Sequence, residues 1–122
     1  TGIALLVLDL DGDGDERTGW TIFYLHLAQA SLVRQGTVVR AGDPLGLPSC
    51  EGGQATGTHV HIARKYNGEW VLADGPLAFN LEGWVAHNGE AAYLGTLTRY
   101  GAVVTASVGA GSQSVILAGS QP

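Results

Sequence analysis

The sequence predicts an all-β fold, a small antiparallel β-sandwich or barrel-like sandwich, and three observations support that class. Short runs of β-branched and aromatic residues recur along the 122 residues, as in half-buried strands. Nineteen glycines are scattered between these runs, which is typical of many tight turns. No stretch keeps a helical hydrophobic period.

The predicted strands follow from these runs, taken in chain order. Residues 3–10 (IALLVLDL) and 20–27 (WTIFYLHL) form a long hairpin with a polar tip at residues 12–19. Two short strands, at 36–40 and 44–47, flank a turn, and a Gly-rich loop spans 48–57. A strand at 58–65 turns at Asn67-Gly68, a hairpin signal, and returns over 69–73. We expect irregular structure over 74–99 and a weakly ordered Ala/Gly/Ser-rich tail or linker over 101–122.

Composition excludes several classes of protein. The net charge is −5, and the six basic residues do not cluster, which argues against a nucleic-acid-binding protein. No apolar run approaches the length that spans a bilayer. Cys50 is the single cysteine, so it is free or pairs outside this chain. The chain begins within an apolar run without an initiator Met, and we therefore expect a piece of a longer protein.

The four histidines are the main candidate functional residues. In a strand, residues i and i+2 share a face, so His59 and His61 emerge side by side, either as a solvated face or as a metal chelate. His26 is predicted to share a face with Tyr24. It can lie close to His59 and His61 only if the strand at 20–27 packs near the strand at 58–65. His87, in an irregular polar segment, is expected at the surface.

The acidic tip is a second candidate site. Asp9, Asp11 and Asp13, followed by Gly14, match the start of a calcium-binding loop, but Trp20 stands where such a loop places its bidentate Glu. An acidic hairpin tip is the favoured interpretation, and weak calcium binding by these three aspartates stays open.

Three motifs in register resemble the M23 family of lysostaphin-type zinc metallopeptidases. They are YLHL at 24–27, VRQGTVVRAGDPLG at 33–46 and TGTHVH at 56–61, and FNLEGW at 79–84 is a softer match to the staphylolytic branch. The resemblance covers roughly residues 2–74. It implies a peptidase core over 1–74, an extension of that domain over 75–100 and a tail over 101–122.

The resemblance also implies roles and context. His61 would bind zinc, His59 would be the catalytic base or proton carrier, and His26 would donate to the oxyanion or to the attacking water. The implied function is a secreted or envelope-associated endopeptidase that cleaves cell-wall peptide or glycine-rich segments. Zinc would polarise the carbonyl and activate water.

The chain departs from the family pattern in its metal ligands. The family holds zinc with a further His and Asp ahead of the first hairpin, and no histidine precedes His26. We therefore expect those ligands upstream of residue 1 and expect the 122 residues alone to be inactive. The alternative is a non-catalytic wall-binding or regulatory module of the same fold. A lipoyl- or biotinyl-type carrier fits poorly, because the single lysine, Lys65, does not lie in a carrier motif.

Overall fold

The computed structural model describes residues 5–52, 58–92, 94–106 and 116. The chain divides between Val71 and Leu72 into two compact units. Each unit contains one four-stranded antiparallel sheet, and no α-helix occurs in the part of the chain that the structure describes. The predicted all-β, antiparallel class is therefore confirmed. No helix among the described residues has the length and apolar character needed to cross a membrane.

The first sheet carries the histidine-bearing strands. Its strands are β1 (Leu5–Asp9), β2 (Trp20–Leu25), β3 (His61–Tyr66) and β4 (Glu69–Val71), hydrogen-bonded in that order. The predicted hairpin of the first two strands is thus observed. β2 also pairs with β3, although 35 residues separate them along the chain, and this non-local pairing assembles the candidate site.

The β3–β4 turn has the predicted Asn-Gly chemistry. Asn67 and Gly68 adopt φ angles of 48° and 82°, as a two-residue type I′ hairpin turn requires. Asn67 also accepts a hydrogen bond from the Gly19 amide through its side-chain Oδ1, at 2.8 Å. The turn is therefore tied to the end of the acidic connection before β2.

The connection between β2 and β3 corrects the sequence-based prediction. Residues 36–40 and 44–47 were expected to be strands, yet they form turns and extended coil around a 3₁₀ turn at Gln29–Ser31. Val38 is 86% exposed, so the apolar residues there do not build a buried strand face. Pro44 and Pro48 also lack amide donors for a ladder. Isolated hydrogen bonds, such as Val33 N to Leu45 O, hold this connection.

The second unit corrects the prediction over residues 74–105. Instead of irregular chain and tail, it forms β5 (Asn80–Leu81), β6 (Trp84–Asn88), β7 (Gly95–Arg99) and β8 (Ala102–Thr105). Trp84 is buried there, and the Arg99 guanidinium lies 4.8 Å from its ring centroid. Residues 107–115 and 117–122 of the expected tail lie outside the described residues.

Candidate functional site

The pairing of β2 with β3 brings the three predicted histidines together. His61 opens β3 directly opposite Leu25, the last residue of β2, and His26 follows Leu25. His59 lies two residues before His61 and forms an isolated bridge with Ser49. The adjacency of the two histidine-bearing segments, which sequence reasoning left as a condition, is observed.

His26 reaches the other histidines because it leaves the regular strand. Cross-strand partners share a face, so Leu25 lies on the face of His61, and continued alternation would turn His26 to the opposite face. Instead, His26 has a φ of 68°, in the left-handed region that non-glycine residues seldom adopt. The predicted shared face of Tyr24 and His26 is therefore wrong, because β2 ends at Leu25 and the backbone reverses the alternation.

The rings of His59 and His61 both lie close to the ring of His26. The ring centroids of His26 and His59 are 4.5 Å apart, and those of His26 and His61 are 6.3 Å apart. His26 is only 6% exposed, whereas His59 and His61 are exposed. The cluster thus has one buried ring beneath two rings that solvent or a ligand can reach.

The buried ring has a defined hydrogen bond. Nδ1 of His26 lies 2.8 Å from the main-chain oxygen of Glu51, and a carbonyl oxygen only accepts. Nδ1 therefore carries the proton and donates, which leaves Nε2 of the neutral ring as an acceptor. Sequence reasoning missed Glu51 because the contact is made by its backbone, which leaves no residue-type signal.

The histidines alone do not provide a complete zinc site. A catalytic zinc takes about three protein ligands, and each ligand atom must approach the metal within about 2.0–2.2 Å. Three ligands of one metal ion must have their ligand atoms close together. Among the described residues, one group of His, Cys, Asp or Glu side chains has three ligand atoms within 4.8 Å of one another, and it consists of aspartates, not of the histidines. The chemistry of imidazole suits zinc, but a tight site needs ligands besides those that this cluster offers.

That aspartate group is the predicted acidic tip. Asp9, Asp11 and Asp13 each offer a carboxylate oxygen within 4.8 Å of the others. A hydrogen bond with the Asp9 carboxyl raises the pKa of Asp11 above 3.8, as expected where two carboxyl groups share a proton. The Thr18 hydroxyl donates to Asp13 and lowers the pKa of that carboxyl. The structure thus assembles the residues of the calcium prediction, which stays a prediction.

A lysine and two aromatic rings continue the sheet face of His61. Ala63 and Lys65 lie on that face, two and four residues after His61. The Lys65 ammonium lies 5.3 Å from the ring centroid of Phe23 and 4.6 Å from that of Trp70. Lys65 also forms an ion pair with Glu16, at 3.1 Å. Strand alternation and the Asn67-Gly68 hairpin account for Lys65 and for Trp70, its partner across the turn. Phe23 reaches Lys65 through the non-local pairing of β2 with β3, which the sequence does not display.

His87 belongs to the second unit. It is exposed on β6, where its Nε2 lies 2.9 Å from the Thr98 hydroxyl and its Nδ1 lies 3.8 Å from an Asp74 oxygen. Its expected surface location is confirmed. Cys50 is a free, exposed thiol among the residues that the structure describes.

Comparisons with known proteins give one partial similarity. The chain is 37% identical over 65 residues to Protease LasA of Pseudomonas aeruginosa, in strains PAO1 and UCBPP-PA14 alike. The alignment covers 48% of this chain but only 15% of those relatives. No protein-family model matches the chain, and no solved structure matches it.

Proposed function

We propose that the chain is part of a peptidase that hydrolyses peptide bonds in bacterial cell wall, as a zinc endopeptidase of the M23 type. The observation that carries the proposal is the convergence of His26, His59 and His61, from two segments that are distant in sequence, on one exposed face. The partial similarity to a protein named as a protease agrees with a hydrolase of this general kind. Localisation outside the cell or in the envelope follows from the proposed substrate.

The exposed imidazole beside the buried one suits proton transfer. His59 is placed to take a proton from an attacking water and to pass it to the leaving amine, because a neutral imidazole accepts a proton and the protonated ring can return it. The buried His26, whose Nδ1–H donates to the Glu51 carbonyl, would orient the attacking water by accepting a hydrogen bond from it at Nε2. Both functions need only the ring atoms of this cluster and a bound peptide.

His61 is the residue that we assign to zinc. A bound zinc ion would supply Lewis-acid polarisation of the scissile carbonyl. Because the histidine cluster provides no complete ligand set, the proposal requires further ligands from parts of the natural polypeptide beyond these described residues.

The sheet face beside the cluster suits an extended substrate. His61 and Lys65 are four residues apart on one strand, and thus about 13 Å apart at their Cα atoms. An extended peptide covers that distance in about four residues. The exposed ring of Trp70, at 61%, would contact the substrate beyond the histidines.

The incomplete zinc ligand set also supports a second candidate, a non-catalytic module that binds cell-wall peptide. One experiment separates the two. The complete natural polypeptide is purified, its zinc content is measured by elemental analysis, and it is incubated with purified peptidoglycan. A peptidase holds about one zinc per chain and releases new amino groups, and His61→Ala removes the zinc. Sedimentation with the wall without release of amino groups would support the binding module and refute the peptidase.

A further inference from the structure

The segment Ser49–Glu51 holds both the backbone and the ring of His26. The carbonyl oxygen of His26 accepts from the Ser49 amide, at 2.6 Å, and from the Ser49 hydroxyl, at 2.8 Å. The ring of the same histidine donates to the Glu51 carbonyl, at 2.8 Å. Ser49 and Glu51 thus fix the backbone and the ring of one histidine.

The Ser49 hydroxyl connects these contacts. It donates to His26 and accepts from the Glu51 amide, at 3.0 Å. Because an amide can only donate, the direction of the hydroxyl proton is settled, and the hydroxyl uses its donor on the His26 carbonyl. The result is a closed ring of hydrogen bonds from His26 to Glu51, to Ser49 and back to His26.

The Glu51 side chain anchors the same segment a second time. Its Oε2 accepts from the Gln29 amide at 3.0 Å, three residues after His26. Glu51 is therefore held at two groups, its amide by the Ser49 hydroxyl and its carboxylate by the Gln29 amide, and both contacts fix the position of its carbonyl. A carbonyl fixed in this way selects one ring orientation and one neutral form of the histidine that donates to it.

We propose that Ser49 is a positioning residue that, through the Glu51 carbonyl, keeps neutral His26 as the Nδ1–H tautomer. Nε2 of the neutral ring then carries no proton and can only accept a hydrogen bond. The family resemblance implied that His26 donates to the oxyanion or to the attacking water. A neutral ring whose Nδ1–H is held by the Glu51 carbonyl can instead accept a hydrogen bond from the attacking water at Nε2. The role of His26 towards the attacking water rests on the proposed peptidase function. The tautomer of His26 is independent of that function.

The test reads the tautomer directly, with no need for turnover. The 122-residue chain is labelled with ¹⁵N-histidine, and the ring nitrogens of His26 are assigned at about pH 9, where imidazoles are neutral. The proton-bearing nitrogen is then identified from its shift and its couplings to the ring hydrogens. We expect Nδ1–H to predominate in the wild type. A predominant Nε2–H form would overturn the inference.

Two variants test the part of Ser49. Ser49→Ala should shift His26 towards the Nε2–H form, whereas Ser49→Thr, which keeps the hydroxyl, should retain Nδ1–H. Ser31→Ala is the matched control, because the Ser31 hydroxyl also joins two backbone groups, Ala28 O and Leu47 N, without touching His26. If Ser49→Ala keeps the wild-type tautomer, Ser49 does not position His26. If Ser49→Ala does not fold, Ser49→Thr and the wild-type spectrum still decide the tautomer.

In the complete polypeptide, Ser49→Ala should lower kcat by about 10- to 100-fold with little change in KM, and Ser49→Thr should restore it. A polypeptide that cleaves nothing in any form would refute the proposed function, whereas the ring spectrum would still decide the inference about Ser49.

Discussion

Substitution of His26 tests the left-handed backbone on which the histidine cluster depends. Its φ of 68° is a conformation that costs an ordinary L-residue about 1–2 kcal/mol and costs glycine almost nothing. His26→Ala and His26→Gly both delete the ring and its hydrogen bond to Glu51. The pair differs only in the Cβ atom and in the entropy of the unfolded chain, so the comparison isolates the backbone.

The magnitude follows from two opposing effects. Relief of the left-handed strain favours His26→Gly by about 1–2 kcal/mol, and the greater freedom of unfolded glycine opposes it by about 0.5–1 kcal/mol. We expect His26→Gly to be more stable than His26→Ala by about 0.5–1 kcal/mol. Both should be less stable than the wild type by about 1–3 kcal/mol, because the part-buried Glu51 carbonyl loses its donor.

Leu25 supplies the control, since it lies within β2 and not in a left-handed conformation. There the order should reverse, with Leu25→Ala more stable than Leu25→Gly by about 0.5–1 kcal/mol. Urea unfolding, followed by the fluorescence of Trp20 and Trp70 in a Trp84→Phe background, reports the first unit. Equal stabilities at position 26, or a more stable His26→Ala, would refute the left-handed assignment.

Three further predictions concern the turns of the first unit. Gly68→Ala should lower the free energy of unfolding in urea by at least about 1 kcal/mol more than Gly36→Ala does. Both glycines have φ above 80°, but only a Cβ at position 68 would lie 3.3 Å from the Arg17 Cα. Equal losses of stability in the two variants would contradict this. The Arg17 guanidinium lowers the pKa of Asp15 from 3.8 to about 2, so their pairing stabilises the folded turn above pH 4 and is lost as the pH falls towards 2. A carboxyl ¹³C titration should therefore have its midpoint near 2 and move towards 4 in Arg17→Gln, and a wild-type midpoint near 4 would exclude the pair. Calcium should bind the acidic tip with a Kd of about 0.1–1 mM, and binding should weaken in Asp11→Asn and as the pH falls through the raised pKa of Asp11. Calorimetry with no heat at about 10 mM, at least ten times that Kd, would exclude the site.

Local patterns in the sequence predicted much of the first unit. The period-two alternation predicted a common face for His59 and His61, whose rings both lie near His26, and Asn67-Gly68 marked the hairpin. Both signals act over a few residues, so no knowledge of the remaining chain is needed. The motif resemblance predicted which histidines belong together, and their proximity is observed.

The remainder depended on backbone conformation and long-range pairing. No residue type near His26 announces its positive φ, and the alternation rule placed its ring on the wrong face. In the second unit, Glu82-Gly83 and Tyr100-Gly101 form left-handed two-residue turns like that of Asn67-Gly68. Glu and Tyr are not residue types that mark such turns in a sequence, as Asn does, so the hairpins they join went unpredicted.

The central claim is that the converged histidines form a peptidase centre, and the rate of peptide-bond cleavage in purified peptidoglycan tests it most directly. The complete natural polypeptide is compared with His59→Ala and with His87→Ala, a matched exposed histidine in the second unit. We predict that His59→Ala loses about 10²- to 10⁴-fold in rate, as removal of a general base does, while His87→Ala keeps the wild-type rate. Cleavage by His59→Ala at the wild-type rate would contradict the account.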